Sequence, residues 1–529
     1  MTRKPLPKVF ATMAFAAALA AAAAGLAIAS ARAAFDFMPR LNLRRPPLAS
    51  APEILEPAPG PRLSRRVVLV MIDGLRLDAS YGRPFLDSLR ARGVDARAAA
   101  SFPSFSHPGY VAIVTGVPPR DSGVRNNVYP WAVPLDNLMR RARAAALRVA
   151  YLSPDDGGLP RMFPHDFDAG AIAPWTGGFE QAVRGVLGSD AQLVMLWIVT
   201  VDDAGHRFGA ATPEYRDAAR QVDATLAQVL GPSSGLDLEK DTIVVVADHG
   251  HVDRGGHGGL EPEVLDVPFI LAGAGVRPGV TLTGARLIDV APTIAALLGI
   301  PPPAEALGHA LTDALAVDPT MRALYAAADA RRFARLKAVL YMEKARIETL
   351  GQSIARTRAV LVALMVLAAA LVVWLAARYR WIVVDRRVLL IALPAFPLTF
   401  YSMLVVFENW LSPSMMPGQG SIVEKLFSYG GIAAVVHVVA AWLSLVGRPS
   451  PHARLAAAAG VTATGLVVAL APVGVAWRLA SPVLAQSLPD PRLLMIAPVV
   501  YAAVACYALC TMLVLLIEYA VFMARVTGR

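Results

Sequence analysis

The sequence predicts an α/β protein whose mainly parallel sheet is sandwiched by helices, carried between an N-terminal membrane anchor and a C-terminal bundle of about five transmembrane helices. Three observations predict it. Between Arg65 and about Leu315, apolar β-branched runs alternate with amphipathic helical stretches. On either side of that region lie apolar runs of about 20 residues, enough to cross a hydrocarbon core of about 30 Å. The chain is 56% hydrophobic with a mean hydropathy of +0.50, above the roughly 45–50% apolar content of soluble domains.

Residues 1–33 open with Arg3, Lys4 and Lys8 ahead of an apolar stretch from about Val9 to Ala31. Ala31-Arg32-Ala33 offers a small-x-small cleavage site, but the run is long for a secretory signal, so it reads as an uncleaved signal-anchor helix. On either reading the following residues are exported. Residues 34–63 are a linker, and its Pro/Ala-rich part, 44–63, is expected to form neither helix nor strand.

The domain expected over 64–318 contains the strand-like runs VVLVMID (67–73), LVMLWIVTVD (193–202), TIVVVAD (242–248) and PFILAG (268–273). Helical stretches at 84–93, 213–230 and 289–300 lie between or after them. Continuous apolar strands separated by helices indicate a sheet covered on both faces. In such a sheet, ligands bind beyond the carboxyl ends of the strands.

Residues 319–357 read as one or two charged juxtamembrane helices, and 358–529 as the bundle. Its spans lie near 358–377, 388–407, 430–447, 455–477 and 493–522. Loop 378–387 carries four arginines, whereas loop 408–429 has one basic residue, Lys425, and loop 478–492 has Arg478 and Arg492. Arg448, Arg454, Arg525 and Arg529 add to the side of loop 378–387. This asymmetry predicts an integral protein of the inner (plasma) membrane with its 64–357 segment in the periplasm or outside.

The net charge of +10 and pI near 9.8 follow largely from basic residues beside apolar runs, a membrane pattern. With no aromatic platform and no Cys/His finger spacing, no nucleic-acid partner is expected. The two cysteines, Cys506 and Cys510, lie in an apolar run and read as small buried hydrophobes. The 64–318 region therefore has neither a thiol nucleophile nor a thiolate metal site.

Ionisable side chains gather where the predicted strands end. Asp73 closes the first, Asp202 and His206 follow the second, and Asp248 and His249 close the third, with His257 shortly after. Of the adjacent acids Asp202 and Asp203, the four-residue spacing to His206 selects Asp202. Carboxylate and imidazole mixtures suit zinc, and manganese or iron less well. Six ligands exceed the needs of one ion and divide naturally between two, which can clamp both oxygens of an in-line phosphoryl displacement. A hydroxyl beside them would become nucleophilic. The candidate is Ser106, at the start of an apolar helix whose free N–H groups suit a phosphate. His107 and His251 occupy no ligand position and read as supporting or exposed residues.

These residues resemble the alkaline phosphatase superfamily, in its phosphodiesterase branch, across roughly 65–315. The motifs occur in that family's order: Asp73-Gly74, the Pro-Ser-x-Ser-x-Pro-Gly block from Pro103 to Gly109, and Asp-x-x-Gly-His from Asp202 to His206. Asp-His-Gly from Asp248 to Gly250, Gly-Gly-His-Gly from Gly255 to Gly258, and Asp-x-x-Pro-Thr-Ile from Asp289 to Ile294 follow. The resemblance implies an alkaline phosphatase-like fold. It also implies one zinc on Asp202, His206 and His257, a second on Asp73, Asp248 and His249, and Ser106 as nucleophile. It further implies that Asn127, with Asn126 as the competitor, binds a phosphate oxygen. Manganese is the alternative metal. Sulfatases of the same superfamily need x-Pro-x-Arg after the nucleophile, and Tyr110 stands where that arginine would be.

Within the superfamily the chain looks most like the first-mannose ethanolamine-phosphate transferases of GPI assembly. It departs from them in its small bundle of five C-terminal spans, and its Ala- and Arg-rich composition looks bacterial, a setting without GPI. The expected function is phosphodiester cleavage through a covalent Ser106 intermediate. A phosphoethanolamine-type group would pass from a phospholipid or other phosphodiester donor to a glycan, lipid or water acceptor. Hydrolysis of nucleotides or lipid head groups is the alternative, and a catalytically dead membrane scaffold the non-enzymatic one.

Overall fold

The structure is a computed structural model describing residues 6–51, 57–153, 158–175, 178–408, 412–415, 419–479 and 491–527. Most of the expected outer loop 478–492, and Arg529, lie outside the described residues. The chain forms two compact units. One comprises Leu41–Arg346 and Ser412–Gly418; the other comprises Met1–Arg40, Ile347–Leu411 and Gln419–Arg529.

The first unit is organised by a single eight-stranded sheet. Its strands are β1 (Arg66–Ile72), β2 (Gly93–Ala99), β3 (Val149–Ser153), β4 (Ala169–Ile172), β5 (Leu193–Ile198), β6 (Asp241–Val246), β7 (Asp266–Gly273) and β8 (Val280–Arg286). Their order is β4-β3-β5-β1-β6-β7-β2-β8. Every neighbouring pair is parallel except those made by β7, which runs antiparallel to both β6 and β2. In β1, β5 and β6 nearly every side chain is buried, as expected of strands with helices on both faces.

Four strands lie outside the apolar runs. β2 (GVDARAA) and β8 (VTLTGAR) mix polar with small residues because one or both faces are partly exposed; β4 is exposed throughout and β3 is short. The run LVMLWIVTVD is not one strand: β5 stops at Ile198 and a helix begins at Thr200. The expected helix over 213–230 is found as Pro213–Leu230, begun by Thr212, whose hydroxyl accepts the Tyr215 N–H. Among its described residues the Pro/Ala-rich stretch holds a 3-10 turn, Pro47–Ser50, whose Leu48 is fully buried in the hydrophobic core.

Three register facts position the site. Ile72 pairs with Ile198, Met71 pairs with Val246, and the Asp73 N–H donates to the Ile198 carbonyl at 2.8 Å. The carboxyl ends of β5, β1 and β6 are therefore flush, and the residues that follow them emerge along one edge.

The helices that matter for the site include α3 (Pro84–Arg92) and α4 (Ser106–Thr115); α1 (Leu6–Phe35) and α2 (Phe37–Leu41) precede the sheet. Among the described residues, six helices are long and apolar enough to cross a membrane. They are Lys8–Phe35, Pro319–Arg378, Val388–Phe407, Ile422–Leu445, Pro451–Arg478 and Leu494–Val526. The expected juxtamembrane helix and first C-terminal span are one continuous 60-residue helix. Val388–Ala392 forms a π turn that leads directly into the helix Leu393–Glu408, which contains Pro397. Cys506 and Cys510 are free thiols, the second buried.

Candidate active site

The flush strand ends account for the clustering. Asp73 leaves β1 directly. Gly74 then turns the chain at φ +70°, and a Cβ there would stand 2.8 Å from the Asp202 Cα, so the turn needs glycine both for conformation and for space. Asp202 and His206 lie on the helix Thr200–Phe208, one turn apart, and this places both on one face while Asp203 is exposed. Asp248 and His249 leave β6, and the segment 255–259 returns His257 to the same edge.

The six side chains meet as two trios. Asp73, Asp248 and His249 offer ligand atoms within 4.8 Å of one another, and so do Asp202, His206 and His257. In the first, His249 Nε2 lies 3.4 Å from Asp73 Oδ1 and 3.3 Å from Asp248 Oδ2. In the second, His206 Nε2 lies 3.3 Å from Asp202 Oδ2 and 3.1 Å from His257 Nε2. The His249 and His257 rings stack with centroids 3.7 Å apart, joining the two trios into one centre.

Hydrogen bonds select the imidazole tautomers. His249 Nδ1 donates to the Gly250 carbonyl at 3.1 Å and His257 Nδ1 to the Ser104 carbonyl at 3.0 Å, leaving both Nε2 lone pairs facing the centre. His251 is held the other way. Its Nδ1 accepts the Gly256 N–H at 3.1 Å, so its Nε2–H donates to Asp202 Oδ1 at 2.8 Å. A third geometric grouping, Asp202 with His249 and His251, therefore has no free lone pair on His251. This residue orients Asp202, the outer support a ligating carboxylate needs.

The electrostatics fit a cation at each trio. Asp73 and Asp248 are each 1% exposed, and Asp73 Oδ1 and Asp248 Oδ2 are buried without a hydrogen-bond partner. Burial, reinforced by neighbouring carboxylates, drives Asp73 well above the usual carboxylate range and Asp248 up to about 8. Burial pushes His249 down to about 3 and also lowers His257. For Asp202, burial acts upward but is outweighed by hydrogen bonds from His206 and His251, which hold it well below that range. Buried, unpaired carboxylate oxygens facing neutral imidazole lone pairs are costly without a positive charge and form a donor set suited to a divalent cation.

Ser106 is the first residue of α4 and is 7% exposed. Its Oγ lies 3.2 Å from His249 Nε2. Asn127 Oδ1 accepts the His107 N–H at 2.9 Å, which orients its Nδ2 to donate to Ser106 Oγ at 3.4 Å. Asn126 is engaged elsewhere: its Oδ1 accepts from Asn42 Nδ2 at 2.7 Å and from the Val128 N–H at 3.1 Å. His107 is buried, with its ring against Gly158. Ser104, two residues before the serine in the same motif, and Tyr110, whose hydroxyl donates to Asp73 Oδ2, have roles that their positions in the motif did not reveal.

The strand ends thus present two carboxylate–imidazole trios around a serine. The family model for type I phosphodiesterase / nucleotide pyrophosphatase matches residues 67–144 and 141–258. Among particular proteins, the catalytic subunit of human GPI ethanolamine phosphate transferase 2 is 26% identical over 278 residues, covering 47% of this chain and 28% of that protein. Mouse GPI ethanolamine phosphate transferase 1 is 24% identical over 308 residues, covering 47% and 33%. The chain thus spans about a third or less of the length of these relatives. Murine ectonucleotide pyrophosphatase/phosphodiesterase 5 superposes with a TM-score of 0.41 at 16% identity, covering 47% of this chain and 100% of that one. Wild-type alkaline phosphatase PafA does so at 0.41 and 12%, covering 48% and 99%. Over its sheet-bearing segment the chain is thus similar to the type I phosphodiesterase / nucleotide pyrophosphatase family, with GPI ethanolamine phosphate transferases among its relatives.

Proposed function

We propose that this protein is a membrane-anchored two-zinc phosphotransferase that cleaves a phosphodiester through a covalent intermediate on Ser106. Asp202, His206 and His257 would hold one ion, and Asp73, Asp248 and His249 the other. The observation that carries this reading is the convergence of Ser106 Oγ, His249 and Asn127 within 3.4 Å at the edge where both trios open. Bound zinc supplies positive charge that favours an ionised hydroxyl and offsets charge on the phosphoryl oxygens.

The residues divide the remaining work. Ser106 Oγ attacks phosphorus, the Oγ–P bond forms, and the P–O bond to the donor's alcohol breaks. The proton lost by the serine is balanced by the one the departing alkoxide gains. A second hydroxyl then attacks the seryl phosphodiester, the P–Oγ bond breaks, and Ser106 recovers its proton. Asn127 Nδ2 would meet a non-bridging oxygen, while the start of α4 offers few N–H groups for one, because the His107 N–H donates to Asn127 Oδ1, Pro108 has none and the Gly109 N–H donates to the Phe105 carbonyl.

The transferase relatives favour transfer over hydrolysis. On this reading a phosphoethanolamine-type group passes from a phospholipid such as phosphatidylethanolamine to an extracytoplasmic glycan or lipid. The catalytic unit then works on the periplasmic or outer side of the inner membrane. The family model that names phosphodiesterases and pyrophosphatases favours a second reading, in which water is the acceptor.

Mass spectrometry of lipids and glycans, with and without the gene and with Ser106→Ala, separates these readings. Gain of a phosphoethanolamine unit on a glycan or lipid, lost in the variant, is the expected result. Cleavage of a generic phosphodiester with no acceptor product would establish hydrolysis instead. Purified full-length protein without zinc or manganese would overturn the metal assignment.

A further inference from the structure

His257 sits in a segment, 255–259, that has no helix or strand to hold it. Its backbone is held from two directions. Ser104 Oγ accepts the Gly258 N–H at 3.1 Å and donates to the Gly259 carbonyl at 2.9 Å, while the Ser104 carbonyl accepts from His257 Nδ1. On the other side the Gly259 N–H donates to Ser414 Oγ at 2.7 Å, in a buried bond. The Ser414 N–H in turn donates to Ser412 Oγ at 3.2 Å, and the Ser412 hydroxyl donates to Glu261 Oε1. A Cβ at Gly259 would collide with both serine hydroxyls and with the Glu261 carboxylate, so the position admits the serines only as glycine.

Ser412 and Ser414 come from far along the chain. They follow the apolar helix Val388–Phe407 and precede Ile422–Leu445, so three of the six candidate spans come before them in sequence. Yet Ser412–Met415 belong to the same compact unit as Leu41–Arg346. Ser414 is fully buried there.

We infer that Ser414, supported by Ser412, is a positioning residue for His257, so that a loop between two membrane spans completes the metal centre. The inference rests on the two-zinc reading above. The physical reason is that the Gly258–Gly259 peptide is fixed only while both its neighbours are bonded. Ser104 restrains the two flanking peptides, through the Gly258 N–H and the Gly259 carbonyl, and Ser414 holds the Gly259 N–H of the peptide between them. Without the Ser414 acceptor, a buried N–H is left unsatisfied and the peptide must turn to find another partner. His257, one residue earlier, turns with it. The exported segment before the third span would then carry all six ligands and the nucleophile and still lack part of their support.

The test uses full-length protein in detergent, stripped of metal and titrated with zinc against a chromophoric chelator. Wild type is expected to bind two ions. Ser414→Ala is expected to keep one tight site and weaken the other by about tenfold, the usual scale for losing an outer partner of a ligand. Ser414→Thr, which keeps the hydroxyl, should recover much of the loss. Ser412→Ala should weaken the same site by less, and supplies the comparison if Ser414→Ala does not fold. The metal-free melting temperature should be unchanged in the Ser412 variant.

Zinc isotherms of both alanine variants superimposable on wild type would overturn the inference while leaving the two-zinc reading intact. Equal weakening of both sites with a lower metal-free melting temperature would overturn it too, by showing a general loss of stability. Wild type that binds no zinc would remove the two-zinc reading, and this inference with it.

Discussion

Tyr110 donates its hydroxyl to Oδ2 of Asp73, one helical turn beyond Ser106 on α4. The helix that presents the serine is thereby bonded to the carboxylate that ends β1. The Tyr110 ring is fixed in turn, edge-on to Trp197 of β5 with centroids 5.0 Å apart. Tyr110→Phe removes the donor and keeps the ring. Zinc affinity is expected to fall about tenfold, with kcat recovering at saturating zinc. Chelator competition alongside turnover checks this, and an unchanged affinity would show that the bond does not support the site.

Ser106 belongs to neither trio, so its loss should separate chemistry from metal binding. Ser106→Ala is expected to lower turnover by about 10⁴-fold or more, as removal of a covalent nucleophile does. Zinc content should stay at the wild-type level, measured on the same preparation by elemental analysis.

The adjacent asparagines should fail in different ways. Asn127→Ala removes the donor beside Ser106 Oγ and is expected to cost about 10²–10³ in kcat without a change in melting temperature. Asn126→Ala breaks the buried bond from Asn42 and is expected to cost about 1–3 kcal/mol of stability. Kinetics and thermal denaturation of the pair decide it; matching phenotypes would contradict the assignment.

Gly74→Ala tests the closeness of β1 to the helix that carries Asp202. A Cβ at φ +70°, 2.8 Å from a backbone carbon, should cost about 1–3 kcal/mol and displace Asp202. Loss of zinc together with a lower melting temperature is the expected result. Full zinc content would mean that the turn has room to adjust.

Metal removal should reverse the pH dependence of stability. In the metal-free protein Asp73 and Asp248 hold protons that the unfolded chain has released, because burial and neighbouring carboxylates raise both, Asp248 to about 8. Below about 6.5 the uncharged His249 and His257 offset this, because the unfolded imidazoles are protonated there; between the unfolded histidine value of 6.5 and about 8, the native state binds more protons than the unfolded one. Stability must then fall as pH rises across that window. Zinc displaces those protons, so zinc-loaded protein should instead gain stability toward the upper end. Melting temperatures with and without chelator from about pH 6.5 to 8 test this, and parallel curves would contradict a cage built for cations.

The sequence by itself determined the local features. Apolar runs announced β1, β5, β6 and β7, and 3.6-residue periodicity announced Pro213–Leu230. An Asp, alone after β1 and joined by a His after β5 and β6, stood past each strand that carries the site. It also marked the six membrane-long helices, because length and hydropathy are properties of a contiguous stretch.

Only the tertiary structure decided that β5, β1 and β6 are neighbours with flush ends. Parallel pairing joins segments more than a hundred residues apart and leaves no periodic trace in any of them. It likewise decided that the strand-like run through Asp202 breaks at Ile198. It separated Asn126 from Asn127, turned His251 toward Asp202, and brought Ser412 and Ser414 to the arm of His257. Each of these outcomes depends on a hydrogen bond to a distant partner. A residue's type shows that it needs such a partner, and only the fold determines which one it meets.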